Sequence, residues 1–258
     1  MINGPEPTEG EKQDYLRADP FPHAVWYNFL DRDKVTQAAE EVAWLEATSP
    51  EKNVFHTQKK RTFTPRSYSW YPESIQNVVS YLTSPAALVW LEALTGVRGL
   101  IPDPYFFGGG IHQVALGGFL KVHADYNYHE KLDLYRRVNL LLYLNPHWDG
   151  AWGGELELWD RKMSKCVKKV PPLLNTVVIF NTGPTSYHGH PTPLECPEGV
   201  TRNSLALYYY TVERPRGFGK GTYTRYKERP GEHFNPPLMT RLRERWRLAK
   251  KYKNRERI

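Results

Sequence analysis

Residues 105–212 form a succession of short runs of apolar, β-branched and aromatic residues, most of them separated by glycine or proline. Regularly spaced runs of this length with turn signals between them are typical of strands in a sandwich or barrel. We therefore expect a mainly β fold with flanking helices. The runs that predict strands cover residues 111–116, 119–122, 137–144, 155–159, 175–180 and 204–212.

Residues 20–104 predict helices instead. Asp31 or Asp33 can cap a helix whose apolar face spans residues 35–45. Residues 72–82 and 84–94 also show helical patterns, and Gly96 is placed to end the second of these helices. We expect one domain without internal repeats. It would consist of a polar leader (1–19), a helical N-terminal part (20–104), a β core (105–212) and a basic C-terminal extension (213–258).

The formal net charge of +7 is concentrated at the C-terminal end of the sequence. Nine basic and two acidic residues lie in residues 238–258, so the rest of the chain is about neutral. Apolar residues in this stretch recur at three- and four-residue steps, which indicates an amphipathic helix. We favour a packed terminal helix with a solvated basic face; the alternative is a binding surface for an anionic partner or substrate.

Composition narrows the class of protein further. The hydrophobic share of 40% and the aromatic share of 14% indicate a chain that builds a core. Cys166 and Cys196 are too few for a disulfide framework, which predicts a reducing, cytoplasmic location. No apolar stretch is long enough to predict a membrane span, and the polar, acidic residues 1–20 do not resemble a secretion signal.

A candidate metal site begins with His123 and Asp125, one residue apart at the end of an apolar run, with His188 far downstream. Alternate residues of a strand point to the same face, so His123 and Asp125 can reach one point together. Two histidines and one carboxylate with open coordination positions suit a non-haem Fe(II) oxygenase. His190 competes for the third place, but we prefer His188 because it directly follows the strand and an aromatic turn.

Arg202 and Ser204 open the next predicted strand after His188. A cationic side chain beside a metal site is costly to bury unless something anionic pairs with it. A carboxylate supplies that pairing with two parallel hydrogen bonds to the guanidinium. We therefore expect a dicarboxylate that chelates iron at one end and meets Arg202 at the other.

These residues, taken as an ordered set, resemble the Fe(II)/2-oxoglutarate-dependent oxygenases, and within them the prolyl-4-hydroxylase-like branch. The resemblance extends over residues 20–212. It implies a double-stranded β-helix of the jelly-roll or cupin-like kind, with Fe(II) as the metal and 2-oxoglutarate and O2 as co-substrates. The motifs that carry it are His123-x-Asp125, Tyr143-Leu144-Asn145, Gly153-Gly154-x-Leu156, His188 and Arg202-x-Ser204.

The resemblance also implies roles for single residues. His123, Asp125 and His188 would hold the iron, and Arg202 would bind the distal carboxylate of 2-oxoglutarate together with Ser204. The other predicted co-substrate contacts are Tyr143, Gln113 and, by strand alternation with Tyr143, Asn139. The loop after Asp125 would border the open side of the iron and supply substrate contacts from Tyr126, Asn127 and His129.

The implied reaction is hydroxylation of an unactivated C–H bond with release of succinate and CO2. Related desaturation or cyclisation is an alternative. Halogenases of the superfamily have Gly or Ala in place of Asp125, so hydroxylation is favoured over halogenation. Nucleic-acid demethylases carry a second Arg soon after Arg202, and this chain has none there, so nucleic acid is not the expected substrate. A small molecule or a peptidyl or carrier-bound substrate fits, and a non-catalytic binding module is the competing class.

Overall fold

The computed structural model describes residues 6–45, 52–55, 58–63, 68–219 and 221–232. Four helices precede the main run of strands, and local sequence explains their ends. Asp31 caps α2 by accepting a hydrogen bond from the Lys34 amide, and Ser84 caps α4 in the same way. Gly96 ends α4 in the left-handed conformation. The helices are α1 (Glu9–Arg17), α2 (Arg32–Trp44), α3 (Glu73–Leu82) and α4 (Pro85–Thr95).

The strands form one hydrogen-bonded network within the described residues, and the strand predictions between 111 and 212 are confirmed with small shifts at their ends. Their bounds are β1 (His23–Trp26), β2 (Lys52–Phe55), β3 (Gln58–Phe63), β4 (Ile101–Pro102), β5 (Gly110–Ala115), β6 (Phe119–Ala124), β7 (Tyr128–His129), β8 (Leu134–Tyr143), β9 (Leu156–Trp159), β10 (Cys166–Val170), β11 (Val177–Asn181), β12 (His188–His190), β13 (Thr201–Thr211) and β14 (Arg225–Tyr226).

The order of strands positions the site. The main path runs β1-β11-β8-β13-β5-β3-β6-β12-β9-β10. Strands β8 and β13 present one face to the helices, and their alternate apolar residues join the largest core cluster. The opposite face of the same strands carries the predicted co-substrate residues. The mainly β architecture has the double-stranded β-helix fold that the sequence predicts.

Three parts of the fold differ from the sequence expectation. The leader contains helix α1, which begins with a capping box between Thr8 and Glu11 and buries Tyr15. Strands β2 and β3 lie in the part expected to be helical, and β3 pairs with both β5 and β6. The predicted basic helix at 238–258 lies outside the described residues.

Among the described residues, no single helix is long and apolar enough to cross a membrane. One bent pair, α3 with α4 at 50°, meets the criterion by length and composition.

Candidate metal and co-substrate site

Two neighbouring strands bring the three predicted metal ligands together. Strand β12 pairs antiparallel with β6 so that His188 lies opposite His123, and Asp125 follows directly after β6. One ligand atom from each of the three residues lies within 4.8 Å of the others. His188 lies in the short strand β12, which the sequence did not predict, and the pairing of this strand with β6 places it beside His123.

Backbone carbonyls fix the orientation of both imidazoles. Nδ1 of His123 lies 2.8 Å from the Lys121 carbonyl, and Nδ1 of His188 lies 3.0 Å from that of Ser186. A carbonyl only accepts, so each ring carries its proton on Nδ1 and turns the lone pair of Nε2 towards Asp125. Burial, with His123 nearby, lowers the pKa of His188 to about 4. The His188 ring is therefore neutral near pH 7, the form that binds a metal.

Arg136 and Asn139 both contact one carboxylate oxygen of Asp125. Nη2 of Arg136 lies 2.9 Å from Oδ2 of Asp125, an ion pair, and the Asn139 amide donates to the same oxygen at 2.8 Å. Burial opposes ionisation of Asp125, but the Arg136 charge holds its pKa well below the usual range. Oδ1 lies 3.5 Å from Nε2 of His123, and Oδ2 lies 3.6 Å from Nε2 of His188.

Arg136 is a further residue of this site that no sequence motif indicates. It is 1% exposed, its guanidinium carbon lies 3.4 Å from the centre of the Tyr208 ring, and its Nε donates to Asn139 at 2.8 Å. Asn139 therefore contacts Arg136 and Asp125, a different role from the predicted contact with the co-substrate. Strand alternation alone would put residues 136 and 139 on opposite faces. A register shift of β8 against β13 at Tyr209 and Tyr210 brings both to one face, and the sequence carries no signal for it.

The second half of the site is built on β13 and β8. Arg202 is 3% exposed; its Nε donates to the Gly154 carbonyl at 2.7 Å and its Nη2 to the Tyr143 hydroxyl at 3.2 Å. Ser204 pairs with Tyr143 across the two strands, so it shares this face. No carboxylate in the described part of the chain lies within ion-pair distance of Arg202, which leaves a buried cation with neutral partners only.

Gly154 explains the predicted Gly-Gly motif. Its φ is +78°, and a Cβ there would lie 2.7 Å from Leu194 and 3.0 Å from Cδ of Arg202. Only glycine combines this conformation with such a close approach. The motif therefore places a backbone carbonyl against Arg202 and keeps the long side chain packed.

Gln113 does not line this face, and its predicted role is wrong. Arg202 pairs with Val114, whereas Gln113 pairs with Asn203 and points to the opposite side of the sheet. There its amide donates to the Val42 carbonyl in α2 at 3.1 Å. His112, which pairs with Ser204, lies on the side of the sheet that faces the site.

The residues predicted to contact substrate are buried. The Tyr126 hydroxyl donates to the Phe107 carbonyl at 2.6 Å, and Oδ1 of Asn127 accepts from the Thr222 amide at 2.6 Å. Nδ1 of His129 accepts from the Leu132 amide at 3.3 Å. These groups hold the loop and the segment after β13 in place, and their contact with substrate stays a prediction.

A strand that the sequence analysis missed lies beside the metal ligands. Strand β14 pairs with β6 at Ala124 and His123, and the Tyr226 ring lies 5.4 Å from the ring of His123. It belongs to the part expected to be only a basic extension. With two residues, it is too short to carry a strand pattern of its own.

Part of the chain is similar to known proteins. Residues 109–210 match the model of the 2OG-Fe(II) oxygenase superfamily. The prolyl 3-hydroxylase OGFOD1 of Mus musculus is 31% identical over 104 residues, which cover 38% of this chain and 19% of the mouse protein. The chain thus matches about a fifth of the length of that relative.

Two solved structures share the fold. A prolyl-4-hydroxylase of Pseudomonas putida gives a TM-score of 0.53 at 20% identity, over 78% of this chain and 97% of that one. HygX of Streptomyces hygroscopicus, solved with nickel, 2-oxoglutarate and hygromycin B, gives 0.52 at 12% identity, over 80% and 88%. At these identities the likeness is one of fold.

Proposed function

We propose that the protein is an Fe(II)- and 2-oxoglutarate-dependent hydroxylase, and the match of residues 109–210 to the model of the 2OG-Fe(II) oxygenase superfamily supports this. The single observation that carries the proposal is the pairing of a compact two-histidine, one-carboxylate cluster with a buried arginine that lacks an acidic partner among the described residues.

The donor set fits Fe(II). His123 and His188 would offer Nε2, because their Nδ1 atoms face carbonyls, and Asp125 would offer Oδ1, because Arg136 and Asn139 occupy Oδ2. Two nitrogen donors and one oxygen donor leave coordination positions open for a co-substrate and O2. Nε2 of His123 lies 3.5 Å from Oδ1 of Asp125 and one ligand atom of each of the three residues lies within 4.8 Å of the others, so the donors already lie close together.

Arg202 fits the distal carboxylate of 2-oxoglutarate. Burial lowers the pKa of the Arg202 guanidinium from its ordinary value, which reflects the cost of a charge without an anionic partner. A carboxylate offsets that cost and accepts charge-assisted hydrogen bonds. The Tyr143 hydroxyl, 3.2 Å from Nη2, and Ser204 on the same face are placed to hold the same group.

Bound Fe(II) with 2-oxoglutarate and O2 supplies the oxidising chemistry that converts 2-oxoglutarate to succinate and CO2 and places one oxygen atom into a substrate C–H bond. The chain's own residues bind and orient these reactants. Halogenases of the superfamily have no carboxylate at the position of Asp125, so the presence of Asp125 supports hydroxylation. Desaturation or cyclisation is distinguished by the product, which loses two hydrogen atoms instead of gaining oxygen.

For the substrate we propose a peptidyl residue, with a small molecule as the second class. The similarity to a prolyl 3-hydroxylase over 104 residues supports the first. HygX, solved with hygromycin B, supports the second. In this chain the exposed aromatic rings of Tyr223 (65% exposed) and Tyr226 (36% exposed), in and beside β14, would border the approach to His123.

Binding and turnover test the proposal separately. Anaerobic addition of Fe(II) and 2-oxoglutarate should produce a visible charge-transfer band, and a panel of proline-containing peptides and aminoglycosides should reveal a substrate that stimulates succinate release. His123→Ala should abolish both signals, whereas His147→Ala, an exposed histidine, should leave them unchanged. Absence of 2-oxoglutarate binding would refute the proposal; binding without turnover on any substrate would favour the non-catalytic binding module.

Two further expectations stay proposals. A reducing, cytoplasmic location is supported by Cys166 and Cys196, which are both free thiols; fractionation of cells that express the protein tests it.

An anionic partner for residues 238–258 is supported by their charge. Neutralising these basic residues should then remove the salt dependence of the Michaelis constant, and salt-independent kinetics would contradict it.

A further inference from the structure

His190 shares the inner face of β12 with His188 but does not belong to the metal cluster. The cluster of ligand atoms contains His123, Asp125 and His188 only, among the described residues. A change of register after His188 brings His190 opposite Leu120 instead. Gly189 makes this possible, since a Cβ there would lie 2.7 Å from the Leu120 carbonyl oxygen. Both imidazoles thus point inward from one short, tightly packed strand.

The surroundings of His190 are cationic. Its side chain is 4% exposed, and the charges of Arg202 and Lys60 act on its ring. Strand β12 also pairs with β9, which begins two residues after Gly154, and the Gly154 carbonyl accepts a hydrogen bond from Arg202. His190 therefore lies near both the metal cluster and the arginine.

The hydrogen bonds of His190 are incomplete within the described part of the chain. Its Nδ1 is buried and has no protein partner there. His112, a second histidine on this face, differs: its Nε2 lies 3.1 Å from the Gly108 carbonyl and its Nδ1 lies 3.4 Å from Nζ of Lys60. A buried polar atom without a partner is unfavourable unless something supplies one.

We propose that Nδ1–H of His190 donates a hydrogen bond to a carboxylate of the bound dicarboxylate co-substrate. The inference rests on the proposed function, because the co-substrate is 2-oxoglutarate. An N–H is the only form of this nitrogen that suits a carboxylate, which accepts and does not donate. Arg202 supplies the charge for the distal end, and His190 adds a directional contact between Arg202 and the metal.

Substitutions that move the donor test this contact. Asn places its amide nitrogen near the position of Nδ1, Gln places it near that of Nε2, and Val provides no donor. We expect His190→Val and His190→Gln to weaken binding of 2-oxoglutarate to the Mn(II)-loaded protein by about 10-fold to 100-fold, the effect of one hydrogen bond to a charged group. His190→Asn should stay within about 3-fold of the parent protein.

Calorimetric titration of 2-oxoglutarate gives these affinities without turnover, and a parallel titration of Mn(II) should show an unchanged metal affinity. His23→Val is the matched control. His23 is also a buried histidine with an unpartnered ring nitrogen among the described residues, but the charges that act on its ring are those of Lys168 and Asp19. The His23→Val variant should therefore bind 2-oxoglutarate with the affinity of the parent protein.

The possible failures are distinguishable. If the parent protein with Mn(II) binds no 2-oxoglutarate, the proposed function fails and the inference with it. If the parent binds but the Val variant binds equally well, the role of His190 alone is wrong. Should the Val variant fail to fold, the Asn and Gln variants decide, and equal affinities of these two would overturn the inference.

Discussion

Asp125 and Arg202 are both largely buried charged side chains of the same site, but they are balanced differently. Asp125 has an ion pair with Arg136 at 2.9 Å and a hydrogen bond from Asn139. Arg202 donates only to the neutral Gly154 carbonyl and Tyr143 hydroxyl, and no described carboxylate pairs with it. The carboxylate of the metal half is thus balanced within the described residues, whereas the cation of the proposed co-substrate half is not.

The largest expected effect comes from breaking the pair in the metal half. Asp125→Ala should lower metal affinity by more than about 100-fold, since even residues behind a ligand contribute about 10-fold to 100-fold. It should also lower the free energy of unfolding by about 3–5 kcal/mol, because Arg136 is left buried and unpaired. Metal titration and chemical denaturation of the metal-free protein measure the two effects.

His123→Ala is the control for this prediction, because it removes a metal ligand and leaves the ion pair. Adding Arg136→Met to Asp125→Ala should restore most of the stability but none of the metal binding. Equal loss of stability in the Asp125 and His123 variants would show that the ion pair does not explain the difference.

Removal of the buried charge in the co-substrate half should not lower the stability of the protein. Arg202→Met should weaken 2-oxoglutarate binding by about 100-fold or more, because two charge-assisted hydrogen bonds are lost. The free energy of unfolding should change by less than about 1 kcal/mol or rise, since an unpaired buried charge is replaced by an apolar chain. A large loss of stability in the ligand-free variant would mean that Arg202 is balanced within the protein after all.

Acid should act on the metal half through His188. Its pKa of about 4 in the folded protein lies below the ordinary value of about 6.5, so the unfolded chain binds more protons between these values. The free energy of unfolding of the metal-free protein should therefore fall as pH drops from about 6.5 to about 4, by up to about 3 kcal/mol for this residue.

Asp125 does not contribute in that window, because its pKa lies well below the ordinary value and its stabilisation is lost only at lower pH. Denaturation of the parent and of His188→Leu at several pH values isolates the histidine. If both proteins lose stability equally between pH 6.5 and 4, another group is responsible.

The smallest effect concerns the packing of Arg202. Gly154→Ala should cost about 1–3 kcal/mol, since the new Cβ meets Leu194 and Arg202 and the backbone has a positive φ. It should also weaken 2-oxoglutarate binding by displacing the guanidinium. Gly153→Ala is the matched control, because its φ is +72° but a Cβ there has nothing within 4 Å. Similar 2-oxoglutarate affinities of the two variants would contradict this role of Gly154.

Several features of the fold and the site were accessible from sequence for local reasons. The cap at Asp31 and the stop at Gly96 depend on a few neighbouring residues, and the structure confirms them. The spacing of His123 and Asp125 places both ligands at the end of β6 because a strand alternates with period two.

The failures have equally specific causes. Gln113 was assigned one position away from the residue that faces the site, and in a strand one position reverses the face. Strand β14 has two residues and no pattern of its own. The pair between Arg136 and Asp125 joins two strands through side chains that no motif connects.

The sequence by itself determined which kinds of chemistry the chain carries, because ligand types, their order and the alternation of strands are local properties. Only the tertiary structure decided which charges meet. His188 rather than His190 reaches the metal cluster because of the register of β12 on β6. Asp125 pairs with Arg136, whereas Arg202 pairs with no described acid. Strand register and side-chain packing bring together these residues, which are distant in sequence, and no local pattern encodes their contacts.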